Sequence, residues 1–284
     1  MRSTRFLLST VILSAMGFSQ TPFTAVSPVV QDGVLLLPTS DPNSVGVVPT
    51  PRSDQEAALL KYAVVLKNTT SHTIIAYCLR WKCVDSSGVV RPHVFARRNF
   101  NTFEGGAAVA PGASRLISRD AGVGNIQNPP AQAGAVTARF EQALRYYRAQ
   151  RSIEVSLDLS VFDDGTAIGP DTSGWFAKFK GWLDAERDFA RLALADGSFA
   201  QRVRDAREEG FDALAKDDAR TSASLLMAAE MAGDYRTCYQ FASAYFASQV
   251  QDWIDKTGPS AAIARLRLIT SAKHYPTLRK KGEQ

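Results

Sequence analysis

The chain has 284 residues, 45% apolar and 21% charged, with 33 Lys and Arg against 28 Asp and Glu and a formal charge of +5. That is ordinary globular composition, enough for one large or two modest domains, and it excludes whole-chain disorder, collagen-like repeats and fibrous coiled coils. No apolar run reaches the roughly 18 residues of a spanning helix, which excludes a polytopic membrane protein. Charge is balanced in both halves, so no nucleic-acid footprint is present.

Residues 1–19 carry the pattern of a secretory signal: Arg2 and Arg5, then FLLSTVILSAMGF, then small residues at Gly17 and Ser19. The expected product is exported, periplasmic or extracellular, starts near Gln20 and has no transmembrane span. Three Cys are too few for a disulfide framework. Cys78 and Cys83 lie about 16 Å apart on one extended segment and point to opposite faces, so buried free thiols are the expectation, with a bond from Cys238 to either left open.

Residues 20–52 hold six prolines around the run GVLLL and read as a Pro-rich lead segment with at most one strand. A β-sandwich domain is expected over 53–171. YAVVLK (62–67) is β-rich, and TIIAYCLRWKCV (73–84) alternates, with Ile75, Tyr77, Leu79, Trp81 and Cys83 on one face and Arg80 and Lys82 on the other. After the Asp85-Ser86-Ser87-Gly88 turn, SRLIS (114–118) reads as a strand. Phe140, Ala143, Leu144 and Tyr147 have helical spacing. SIEVSLDLSVF (152–162) is the clearest strand, with Ile153, Val155, Leu157, Leu159 and Val161 sharing a face, and Asp163-Asp164-Gly165 closes it. Strands punctuated by turns, without βαβ alternation, argue for an antiparallel sandwich.

The period then changes to about 3.6, and 172–284 is expected to be a helical region. Apolar stripes run through Trp175, Phe179, Trp182 and Phe189; through Phe199, Val203 and Phe211; through 225–231; and through Tyr235 to Trp253. Thr257-Gly258-Pro259 breaks the pattern before a last helix through Ile263, Leu266 and Ile269. No fixed repeat relates these helices. The fold class expected is α+β, an antiparallel sandwich followed by a C-terminal helical region.

The run YAVVLKNTTSHTIIAYCLRWKCVDSSGVV resembles the opening hairpin of immunoglobulin-like β-sandwich domains of uncharacterised exported bacterial proteins. VAPGASRLIS resembles the strand that follows in such domains, and LDLSVFDDGTAIGPD their final strand and exit turn. The resemblance covers residues 60–171 and implies a fold and an exported setting. It transfers no catalytic residue, and the insertion over 122–151 departs from a minimal sandwich.

Nucleophile elbows, Walker A loops, HExxH helices, CxxC pairs, SxxK motifs and EF-hand loops are missing from the sequence. No catalytic residue, cofactor or metal is therefore assigned. His72, His93 and His274 form no local ligand set, and Asp163, Asp164 and Asp171 surround a glycine turn whose spacing is not that of a calcium loop. Trp175, Phe179 and Trp182 share one helix face, which fits either core or aromatic anchors for a partner. Arg80, Lys82, Arg97 and Arg98 fit a solvated sheet face.

The function expected is that of a non-catalytic exported protein interacting with a protein or another envelope component, with Trp175, Phe179 and Trp182 as the candidate contact residues. One alternative is an exported hydrolase with a site between sheet and helices, using Asp163 or Asp164 with His93. Another is a structural protein whose helices oligomerise.

Overall fold

A computed structural model describes residues 23–26, 33–100, 109–119, 133–195, 199, 201–205, 208, 234–271 and 276–282. Its strands are β1 (Phe23–Val26), β2 (Val34–Pro38), β3 (Val64–Asn68), β4 (Ile74–Asp85), β5 (Val90–Arg98), β6 (Ser114–Ile117), β7 (Gln150–Phe162), β8 (Thr166–Ile168) and β9 (Arg279–Lys280). The helices are α1 (Asp54–Leu60), α2 (Ala133–Arg148), α3 (Trp175–Ala195), α4 (Tyr235–Thr257) and α5 (Pro259–Ile269); residues 201–205 are also helical. The fold is mixed α+β with two sheets and helices in the C-terminal half.

The larger sheet has the order β5-β4-β7-β8-β9, with β1 added parallel to the N-terminal half of β7. The smaller sheet has the order β2-β3-β6. The GVLLL run is thus no loose lead: Val34–Pro38 pairs antiparallel with β3 over five residues, and Val34 and Leu36 are buried. The lead segment, expected to hold at most one strand, contributes two, β1 and β2, and the two inward-facing positions of β2 are apolar. Ser53 then caps α1, accepting the Glu56 N–H at 3.1 Å, while the Glu56 carboxylate reaches back past the cap to accept the Arg52 N–H at 2.8 Å.

β5 is an edge strand that the sequence reading passed over. Pro92 breaks a β pattern, yet an edge tolerates a missing N–H, and β5 pairs with β4 from Ala76↔Arg98 to Val84↔Val90.

Two cores lie on opposite faces of the larger sheet. Tyr77, Leu79, Trp81, Cys83, Ile153, Val155 and Leu157 pack against β2, β3, α1 and α2. Ile75, Ala76, Cys78, Leu159 and Val161 pack against α3, α4 and α5. This division corrects the uniform alternation read from both strands. Register shifts between Ile74 and Ala76 in β4, and at Asp158 opposite the Cys78–Leu79 step, insert one extra residue each, and each β-bulge reverses which face the following side chains take. Ile75 therefore parts from Tyr77, and Leu159 from Leu157.

The Asp158 bulge is tied to the loop that starts α3. Its buried carboxylate accepts the Thr172 and Ser173 N–H groups at 2.9 and 3.0 Å and the Ser173 hydroxyl, and its carbonyl accepts the Asp171 N–H at 2.8 Å. Gly169 is required beside it: its φ is +120°, and a Cβ there would lie 2.4 Å from the Asp158 carbonyl oxygen. Asp171, itself at φ +49°, accepts the Phe176 N–H in the first turn of α3 at 3.0 Å.

Helix α3 is held by α4, which approaches so closely that a Cβ on Gly181 would sit 2.6 Å from the Tyr235 carbonyl oxygen. Asp184 and Asp188 of α3 accept the Tyr235 and Tyr239 hydroxyls of α4, each at 3.1 Å. Partial burial and then these carboxylates push both phenols up to about 12. The C-terminal segment returns to the sheet: Arg187 donates to the Pro276 carbonyl at 2.6 Å, and Lys280 pairs with Asp171 at 3.1 Å.

Candidate functional site

Where the C-terminal end of β5 meets the helices, the chain forms a cleft of ≈ 400 Å³. Each wall comes from a regular element. β5 supplies Arg98 and leads into Asn99 and Phe100; α3 supplies Trp182 and Glu186, and α4 supplies Tyr245 and Gln249, each pair spaced i, i+4 along one helix face.

The Arg98 guanidinium lies 3.2 Å from the Trp182 ring centroid, a cation–π contact of about 0.5–2 kcal/mol. Tyr245 meets the same indole edge-on at 5.8 Å. Glu186 is a buried carboxylate. The cleft thus offers a planar cation, a buried carboxylate, an aromatic ring and two amides, suited to binding a polar group.

A second polar group lies on the face of the larger sheet that meets β2, β3, α1 and α2. The Tyr146 hydroxyl is 2.7 Å from His93 Nε2 and also hydrogen-bonds the Cys83 thiol, with Arg119 over the Tyr146 ring at 4.7 Å. Burial first, then Arg119 and Arg91, hold His93 below its ordinary range. Burial likewise pushes Cys83 and Tyr146 up. These shifts favour the neutral form of all three, the reverse of an activated thiolate and imidazolium pair.

The candidate contact residues Trp175, Phe179 and Trp182 all lie in the helix-side core, at 7%, 0% and 1% exposure. They do not form a free surface, because the stripe that could present anchors is the one that meets β4, β7 and α4. Trp182 alone reaches the cleft, beneath Arg98.

The hydrolase constellation is not assembled. Asp163 sits beside Thr73 and pairs with His72 at 3.0 Å, whereas His93 is opposite Trp81, eight residues and roughly 25 Å further along the chain. Asp164 accepts the Thr166 N–H and hydroxyl within its own turn, and Asp171 caps α3. His274 lies outside the described residues. Asp158, the buried carboxylate among these acids, lies at the bulge of β7, which no sequence signal marks.

Cys78, Cys83 and Cys238 are buried and free. The Cys78 thiol, 3.4 Å from the Ser173 hydroxyl, is pushed up to about 12 by burial, with Asp158 and Asp171 adding to the rise and the Ser173 hydrogen bond opposing it. Among the described residues, no three His, Cys, Asp or Glu side chains gather as metal ligands, and no helix is long and apolar enough to cross a membrane. No family model, curated protein or solved structure matches the chain.

Proposed function

We propose that this chain is a non-catalytic exported protein that binds a protein or another component of the cell envelope through the cleft between β5, α3 and α4. The observation that carries the reading is Arg98 held flat on Trp182 in a polar cleft of ≈ 400 Å³. A guanidinium positioned before a ligand arrives loses less entropy on binding than a free surface arginine.

The sequence pattern of residues 1–19 supports export. The strand order supports the immunoglobulin-like reading: β2-β3-β6 and β5-β4-β7-β8 are two sheets that share one core, and the consecutive strands β3 and β4 lie in different sheets. The helix α2 between β6 and β7 is the insertion such a domain would carry.

The test places a photo-crosslinking residue at Gln249 in the tagged, exported chain, with exposed Val45 as control position. The expected result is one identified envelope component crosslinked at Gln249 and not at Val45, and lost in Arg98→Ala while that variant keeps its melting temperature. Equal crosslinking at both positions, or capture unaffected by Arg98→Ala, would sink the reading.

A further inference from the structure

We propose that the cleft continues as a cationic strip over the open half of the larger sheet, and that its ligand is an extended acidic polypeptide segment. This rests on the binding reading above and names the partner's chemistry.

The strip follows from register. Trp81 and Cys83 face the core shared with the smaller sheet, so Arg80 and Lys82 face the helix side, continuing the row of Ala76 and Cys78. The helices cover Ala76 and Cys78, but Lys82 is exposed and Arg80 half-buried, so the helical layer stops short of them. Arg98 stands opposite Ala76. Counted along β4, the cations therefore fall at Arg98, about 13 Å further at Arg80, and about 7 Å beyond that at Lys82.

Among the described residues, no side-chain hydrogen bond or ion pair engages Arg80 or Lys82. Among the described residues, the carboxylate beside them on this face is Glu154, opposite Lys82 in β7; Ser156 is opposite Arg80. The face is complementary to negative charge.

A second lane selects the kind of anion. Opposite Val84, Lys82, Arg80 and Cys78 in β5 stand Val90, Pro92, Val94 and Ala96, and Val90 and Val94 are 49% and 42% exposed. An apolar lane beside a cationic lane matches a chain that alternates apolar and acidic side chains. A uniformly hydrophilic acidic glycan would leave the apolar lane without a partner. In an extended peptide the steps of about 7 and 13 Å correspond to acidic residues at i, i+2 and i+6.

The probe is a fluorescein-labelled peptide, Glu-Val-Glu-Val-Ser-Val-Glu, titrated against the full mature chain by fluorescence anisotropy. Saturable binding is expected. Arg80→Gln with Lys82→Gln should weaken it at least tenfold at unchanged melting temperature, and Glu154→Gln should tighten it. Roughly 0.5 M salt should weaken it as screening shortens to a few ångströms.

The Gln-for-Glu peptide should not bind, and tetragalacturonate should compete at least tenfold more weakly than the unlabelled acidic peptide. Absence of saturable binding, equal affinity in the double variant, or equal competition by tetragalacturonate would overturn the proposal. A partner captured at Gln249 together with no peptide binding overturns the acidic-peptide assignment alone; failure of both overturns the cleft as well.

Discussion

The two faces of the central sheet are filled by different means. On one side, aliphatic strand residues interdigitate with the smaller sheet, and the polar groups Cys83, Tyr146 and His93 hydrogen-bond within that layer. On the helix side the sheet offers small or aliphatic residues, Ala76, Cys78, Leu159 and Val161, and the bulk comes from rings: Trp175 on Phe179 at 5.3 Å, Trp182 on Phe241 at 5.7 Å, Phe189 on Phe246 at 5.6 Å. Small sheet residues let the aromatic helix seat closely. The cleft occurs where this layer stops, and there Arg98 covers Trp182. The lesson is that one strand, β7, serves both cores by changing face at Asp158.

That makes Asp158 the place to break the comparison, with the largest effect. Asp158→Ala leaves two backbone N–H groups and the Ser173 hydroxyl without their acceptor in a part-buried site, at a cost of about 1 kcal/mol or more for each group. Because the bulge joins both layers, a loss of at least about 3 kcal/mol should appear in urea unfolding whether followed through Trp81 or through Trp182, each isolated by replacing the other tryptophans with Phe. A loss confined to one probe would show that the bulge serves only one core.

Gly181→Ala should separate the layers. The added Cβ meets the α4 backbone at 2.6 Å, so α3 and α4 must part, at about 1–3 kcal/mol. Trp182 fluorescence and peptide binding should change, while the Trp81 environment should not. An unaltered helix-side signal would mean that the helices accommodate the methyl by sliding.

Much of this layout was legible in the sequence and the decisive parts were not. β4, β7, α3, α4 and α5 follow from clear periods of two or 3.6, because each buries a run of regularly spaced apolar residues, in β4 and β7 up to the bulge. β5 was hidden by Pro92, which an edge strand tolerates, and α1 by its proline-rich surroundings, although Ser53 is a favoured N-cap residue. The faces past each bulge were misread because one extra residue inverts a period of two without altering composition. The cleft was illegible for a related reason: Arg98, Trp182 and Tyr245 are each unremarkable locally, and only the packing of β5 against two helices brings them together.

On the side of the smaller sheet, Tyr146→Phe tests whether the internal polar group is a structural tie. It removes the hydroxyl that engages His93 and Cys83 and keeps the ring against Tyr147, so a loss of about 1 kcal/mol is expected, in the Trp81 transition only. No loss would show that the ring stacking, and not the hydroxyl, holds α2 on the sheet.

The smallest expected effect is on pH dependence. His93 is held below the ordinary histidine value of 6.5 in the folded chain, by burial first and then by Arg119 and Arg91. Between the folded value and 6.5 the unfolded chain binds more protons, so stability is full above about 6.5 and falls as pH drops through that window. His93→Gln removes the titration but not the neighbouring charges. The urea midpoint of the native chain should therefore decline more between pH 7.5 and 5.5 than that of His93→Gln, with the difference carried by the Trp81 probe. Parallel declines in the two proteins would mean that His93 takes up its proton as readily folded as unfolded, and that Arg119 and burial do not set its charge.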